Sequence, residues 1–282
     1  MEFTSAQARS RFDAVVAVAA STVVGLDFDG TLAPIVDDPE AARIHADASD
    51  VLADVSQVVR AIAIVTGRPA RQAVDMGALD ELGRAMAEHG TSLSVFGQYG
   101  NERWSAGERR VVSPRPPRGL ASFERELPAV LRSAGAADAF VEEKGLAVGI
   151  HTRRMPDPAG AFERLLEPLR QLAERHGLTI EPGRHVIEVR SGDTTKGDAV
   201  RVLVEEHQAG GFVFAGDDLG DVEAFEALHE LRRDGMPTLA VCSATEQAEV
   251  ARLADLVVPG PDGVMELLRE LAVAARASQR TH

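Results

Sequence analysis

The run Ser21-Thr22-Val23-Val24-Gly25-Leu26, apolar and β-branched, breaks off at Asp27-Phe28-Asp29-Gly30-Thr31. A short run of this kind that ends at a glycine reads as a buried strand running into a loop. Side chains alternate along a strand, so Asp27 and Asp29 start on the same side. Desolvating two like charges together is unfavourable unless a cation or a shared proton compensates them. The carboxyl end of a strand is also where open α/β sheets place their ligands. The break at Asp27 therefore predicts a chemical site at the carboxyl end of the strand.

The same unit recurs. An amphipathic stretch from about Asp47 to Val59 is followed by the apolar run Ala61–Val65, which stops at Thr66-Gly67-Arg68-Pro69 ahead of another helical pattern. Near the C-terminus Gly211–Ala215 stops at Gly216-Asp217-Asp218, Thr238–Val241 is a fourth run, and Leu256–Val258 reads as an edge strand before a helix from about Gly263. Apolar run, polar loop and helix in repetition predict an α/β chain with a Rossmann-like, doubly wound, mostly parallel sheet.

The middle of the chain has a different pattern. Ser113-Pro114-Arg115-Pro116-Pro117-Arg118-Gly119 is rigid and non-helical, as a linker would be. Beyond it come a helix (about Ser122 to Ser133), a hairpin (Phe140–Glu142 and Leu146–His151 around Glu143-Lys144-Gly145), a helix (about Pro158 to His176) and a second hairpin around Pro182-Gly183. Residues 113–191 are thus expected to form an inserted α+β cap, with 1–112 and 192–282 making one core. Trp104 is expected to pack at the junction of the two.

Four polar clusters then carry the chemistry: Asp27 and Asp29 with Thr31; Thr66 with Gly67; Lys196 at the opening of a helix; and Asp217, Asp218 and Asp221. Hydroxyl, lysine and helix-opening amides suit a phosphate, while clustered carboxylates suit a hard divalent cation. Thr66 is also a good helix cap, and Asp218 and Asp221 equally suit the dipole of a following helix. Across 282 residues the net charge is −14, which opposes nucleic-acid or anionic-membrane partners. The single cysteine, Cys242, excludes an internal disulfide and agrees with a reducing, cytoplasmic setting.

In order and residue type these clusters resemble the four motifs of the haloacid dehalogenase superfamily of aspartate-nucleophile phosphatases. A narrower resemblance is to the trehalose-6-phosphate phosphatases. It rests on Leu26–Ile35 continuing to Asp38-Pro39, on Val65-Thr66-Gly67-Arg68-Pro69, on Val141-Glu142-Glu143-Lys144-Gly145 with His151-Thr152-Arg153, and on Glu188-Val189-Arg190 before Lys196-Gly197. The chain departs from that pattern at Gly220 and Val222, where Thr and Glu are usual. A His-Gly-x-Glu element corresponds either to Tyr99-Gly100-Asn101-Glu102 or to the stretch at Glu88-His89-Gly90.

The resemblance implies a magnesium-dependent phosphatase acting on a sugar phosphate, foremost trehalose 6-phosphate; the chain is expected to act as a monomer. Asp27 would be the nucleophile, Asp29 the general acid and base, and Thr66 and Lys196 the phosphate-holding groups. Magnesium would bind Asp27, the Asp29 carbonyl and Asp217, with Asp218 and Asp221 behind them. Gly67, Arg68, Glu142, Lys144, Arg153 and Glu188 would contact substrate, and the cap would close over the sugar. The charged cap residues are also compatible with a solvated face. Sucrose 6-phosphate or glucosyl-3-phosphoglycerate as substrate, a phosphomutase, or a silent sugar-phosphate sensor would use the same scaffold.

Overall fold

The computed structural model describes residues 6–36, 38–183, 185–192, 194–244 and 247–280. It divides into two compact units, Met1–Ser113 with Thr195–His282, and Pro114–Thr194.

In the first unit the chain runs α1 (Ala6–Ala17), β1 (Thr22–Leu26), α2 (Ala48–Ser56), β2 (Ala61–Val65), α3 (Ala70–Met76), α4 (Leu79–Ala87), β3 (Ser92–Gly97), β4 (Glu102–Ser105) and β5 (Val111–Val112). The second unit holds α5 (Leu120–Ser133), β6 (Phe140–Glu143), β7 (Ala147–His151), α6 (Pro158–Arg175), β8 (Thr179–Gly183) and β9 (Val186–Arg190). The first unit resumes with α7 (Lys196–His207), β10 (Gly211–Gly216), α8 (Val222–Arg233), β11 (Thr238–Ser243), α9 (Ala248–Leu253), β12 (Leu256–Val258) and α10 (Gly260–Gln279).

The first unit is built on an eight-stranded sheet of order β12-β11-β10-β1-β2-β3-β4-β5. From β12 to β3 the strands are parallel, and β4 and β5 extend the sheet antiparallel. β1, β2 and β10 are buried at every position, as strands covered on both faces must be. One face packs against α1, α2, α4 and α10 through residues such as Phe12, Leu52, Leu82 and Leu268. The other packs against α7 and α8 through Val200, Leu203, Phe225 and Leu228. The doubly wound α/β expectation holds, with the edge strand β12 where the sequence placed it.

Trp104 belongs to the first unit's sheet. It is fully buried on β4 among Val95, Leu82 and their neighbours in the first unit's own core. The sequence reading missed β3 to β5 altogether. β3 mixes serine and glycine into its buried positions and β4 carries Glu102 and Arg103, so neither shows an apolar run.

The second unit is a four-stranded antiparallel sheet, β6-β7-β9-β8, with α5 and α6 on one face. Val148, Ile150, Ile187 and Val189 point into that core. The register sets Glu142, Gly149, Glu188 and Glu181 in one row across the opposite face.

Candidate active site

From β1 the chain winds outward to β2 and β3 on one side, and β10 and β11 lie on the other. The winding therefore reverses between β1 and β10, the position at which such sheets open a crevice. Leu26 is in register with Ile64 and Ala215, so the loops after β1, β2 and β10 leave the sheet side by side. Asp27, Thr66 and Asp217 open those loops. Thr195 and Asp198 form a reciprocal capping box that fixes the start of α7. Lys196 occupies the first turn of that helix.

Lys196 Nζ donates to Asp27 Oδ1 at 2.8 Å and to Asp221 Oδ1 at 2.7 Å. Asp221 Oδ2 accepts from the amides of Asp217 (2.9 Å) and Asp218 (3.1 Å), which folds the acidic loop around it. Gly30, at φ +72°, brings the first loop so close that a Cβ there would collide with the Asp217 carboxylate. Ser243, at the end of β11, donates to Gly30 O at 2.6 Å and holds that loop down. Sequence reasoning missed this serine, which no motif marks.

Asp27, Asp217 and Asp221 are buried and offer carboxylate oxygens within 4.8 Å of one another. When all three are ionised, the carboxylates exceed the one ammonium by two negative charges, with Asp218 close by. Burial, together with Asp27, Asp221 and Asp218, pushes Asp217 up to about 10. Burial likewise pushes Asp221 to about 6, against the pull of Lys196. Asp27 is also raised, by burial first, with Lys196 opposing and Asp221 adding to it. Burial disfavours the charge on Lys196, but Asp221, Asp27 and Asp218 outweigh it and hold the ammonium well above its ordinary value. A divalent cation matches the excess charge, and hard carboxylate oxygens are its donors of choice. The residues fit.

Asp29 is not part of that group. Its carboxylate accepts a two-pronged salt bridge from Arg68, with Nε to Oδ2 and Nη2 to Oδ1 both at 2.6 Å. Arg68 also donates from Nη1 to Pro39 O at 2.9 Å and lies 5.5 Å from the Phe28 ring centroid. Its guanidinium, expected to meet substrate, is thus turned to Asp29.

Thr66 does not cap a helix either, because α3 begins at Ala70. Its Oγ1 accepts from the Arg68 amide at 3.1 Å, while Glu102 Oε2 accepts from the Ala70 amide at 2.7 Å. That places Tyr99–Glu102 beside the site. His89 and Gly90 line a small cavity of about 190 Å³ with Ser56 and Arg60, at the opposite end of the strands. Asp218 is exposed and accepts from the Gly220 amide at 2.9 Å, closing a tight turn.

In the second unit Glu142 pairs with His151 at 2.9 Å, Lys144 pairs with Glu188, and Glu181 pairs with Arg190 at 2.8 Å. Glu188 is buried, and its Oε1 has no hydrogen-bond partner among the described residues. Arg153 lies in the turn beyond β7 rather than on the strand.

The family model described as trehalose-phosphatase matches residues 25–259. The chain belongs to the trehalose-phosphatase family. An uncharacterized glycosyl hydrolase of Mycobacterium tuberculosis is 30% identical over 73% of the chain, which spans only 15% of that protein's length. The chain likewise spans 30% of trehalose-phosphate synthase B of Dictyostelium discoideum. A probable trehalose-phosphate phosphatase of Sinorhizobium fredii is 29% identical over 73% of both chains. Among solved structures, the C-terminal domain of a Candida albicans trehalose-6-phosphate phosphatase superposes with a TM-score of 0.72 at 22% identity. It covers 96% of this chain and 98% of that one. A haloacid dehalogenase-like hydrolase of Bacteroides thetaiotaomicron superposes with a TM-score of 0.60 at 16% identity, covering 89% of this chain and 99% of that one. The fold is that of the haloacid dehalogenase phosphatases. No described helix is long and apolar enough to cross a membrane.

Proposed function

We propose that the chain hydrolyses the phosphate monoester of trehalose 6-phosphate through an aspartyl-phosphate on Asp27, with magnesium as its cation. The observation that carries this reading is the convergence of Asp27, Lys196, Asp217 and Asp221 at the point where the sheet reverses its winding. Family membership supports the substrate class.

In the first step an Asp27 carboxylate oxygen bonds to phosphorus and the sugar oxygen leaves, taking a proton from Asp29. In the second, Asp29 takes a proton from water. The water oxygen bonds to phosphorus, and the bond to Asp27 breaks. Both Asp29 oxygens accept from Arg68, so Asp29 must release one of those bonds each time it carries the proton.

Lys196 and the Thr66 hydroxyl hold phosphoryl oxygens and stabilise their charge as it spreads. Asp27, Asp217 and the Asp29 carbonyl are the proposed metal ligands. Asp221, with both oxygens already hydrogen-bonded, orients Lys196 and the acidic loop, and Asp218 shapes its turn. When bound, the cation neutralises charge between nucleophile and phosphate. Gly67, Glu142, Lys144, Arg153 and Glu188 are proposed to recognise the substrate, with Glu188 Oε1 left to accept from a sugar hydroxyl. We place the enzyme in the cytoplasm as a monomer.

The test is phosphate release with magnesium from trehalose 6-phosphate, sucrose 6-phosphate, glucose 6-phosphate and glucosyl-3-phosphoglycerate, each repeated with EDTA. Chelator-sensitive preference for trehalose 6-phosphate is the expected result. Preference for another of the four overturns the substrate assignment, and failure on all four overturns the phosphatase reading.

A further inference from the structure

Two departures from the family pattern, Tyr99 and Gly220, lie far apart in sequence and meet in the fold. A Cβ placed on Gly67 would lie 3.0 Å from both Cζ and the hydroxyl oxygen of Tyr99. One placed on Gly220 would lie 3.2 Å from Cε1 of the same ring and 3.1 Å from Asp218 Oδ1. All four distances are tighter than ordinary van der Waals contact. The half-buried ring therefore rests on the backbone of two loops at once, which is possible because neither position carries a side chain. One loop holds Thr66 and Gly67, and the other holds Asp217, Asp218 and Asp221.

The turn that delivers the ring is strained. Gln98 has φ +48° and Tyr99 φ +62°, a region that bulky residues enter only where the surroundings enforce it. Here the enforcement comes from the phosphate-side loop itself. The Gln98 amide donates to Arg68 O at 2.9 Å and the Tyr99 amide to Thr66 O at 3.0 Å. Gly220, by contrast, is not in the left-handed region, so its backbone tolerates other residues. What excludes them is the ring and the Asp218 carboxylate.

We infer that Tyr99 is a positioning residue. Its ring is the spacer that sets the distance between the loop at Thr66–Arg68 and the acidic loop at Asp217–Asp221, and Gly220 is the small partner it requires. The inference rests on reading this site as a phosphatase centre. The spacing matters because Thr66 and the acidic loop must act on one phosphoryl group together, and catalysis is sensitive to misplacements of about 1 Å. Tyr99 acts through the loops, not on the reacting atoms.

The experiment is a double-mutant cycle on the full chain: wild type, Tyr99→His, Gly220→Thr and the pair, with Gly220→Ala as a milder variant carrying the Cβ alone. The imidazole is the smaller ring and leaves room for the threonine. Each protein is measured for kcat and KM on trehalose 6-phosphate, for Tm, and for affinity toward orthovanadate with magnesium. Gly220→Thr is expected to lower kcat tenfold or more, Tyr99→His about tenfold, and Gly220→Ala by less than Gly220→Thr. KM should stay within threefold. The pair should return to within threefold of wild type, where independent effects would multiply to about a hundredfold loss.

Multiplying losses in kcat overturn the inference. So does coupling seen in Tm alone, which would make the ring mere filling. If wild type releases no phosphate, the phosphatase reading fails instead, and the vanadate cycle decides the spacer: coupled affinities support it and independent ones overturn it.

Discussion

Replacing Lys196 with methionine removes a charge while keeping most of the side chain's bulk. The ammonium is the cation shared by Asp27 and Asp221, and all three side chains are 6% exposed or less. Removing one partner from a buried ion pair costs about 3–5 kcal/mol, because the remaining charge has neither water nor partner. At roughly 2–3 °C per kcal/mol for a protein of this size, Tm should fall by about 6–15 °C at pH 8 in EDTA.

The loss must depend on pH, and its sign is fixed. Without the ammonium both carboxyls hold their protons more tightly, and Asp221 already stands at about 6 in its presence. At pH 5.5 Asp221 is largely neutral and the penalty shrinks, so the deficit grows as pH rises. The lysine adds no slope of its own. Its folded value is raised, so its contribution is complete below its ordinary value and is lost only at far higher pH. Differential scanning calorimetry of both proteins at pH 5.5 and 8 measures this directly. Restored magnesium should recover part of the stability but not the activity. Removing a donor to the transferring group costs on the order of 10²–10³ in kcat. A Tm within 2 °C of wild type at pH 8, or a deficit that shrinks with rising pH, would refute the bridging role.

Magnesium should compete with protons for the same carboxylates. Asp217 stands at about 10, so between pH 5.5 and 8 the folded metal-free state keeps a proton that the unfolded state has released. In EDTA, wild type should therefore lose stability relative to Asp217→Asn as pH rises. Magnesium affinity should tighten over the same range, with proton release visible by calorimetry in two buffers; an affinity independent of pH would count against the assignment. Arg68→Lys breaks the two-pronged grip on Asp29 and should lower kcat about 10–100-fold with KM nearly unchanged. A pure KM effect would return Arg68 to substrate binding. Glu102→Gln weakens the acceptor at the start of α3 and should cost about 1 kcal/mol, read as a Tm loss of roughly 2–3 °C, without altering magnesium affinity.

How legible the chain was follows from which interactions are local. β1, β2 and β10 lie in the covered middle of a parallel sheet, so every position is buried, most are apolar, and each strand's end shows as an abrupt change to Asp27, Thr66 or Asp217. Lys196 was legible because its helix opens with a threonine cap. β3 and β4 were not, since Ser94, Gly97 and Arg103 break the apolar run while the ladder to β2 and between them supplies the strand. Asp27 and Asp29 share a side in an ideal strand, but β1 ends at Leu26 and Gly30 turns the loop at φ +72°. Their carboxylates consequently part, one to Lys196 and the other to an arginine 39 residues on. No local pattern assigns an arginine to a carboxylate rather than a ligand. The choice between Glu88-His89-Gly90 and Tyr99–Glu102 was likewise open in the sequence, because β3, which separates the two stretches, shows no apolar run. Only the sheet separates them, by sending β3 to the end where Asp27 lies and leaving His89 at the other. The local sequence thus names the groups proposed to react, while the partners that hold them become visible only once strands distant in sequence lie side by side.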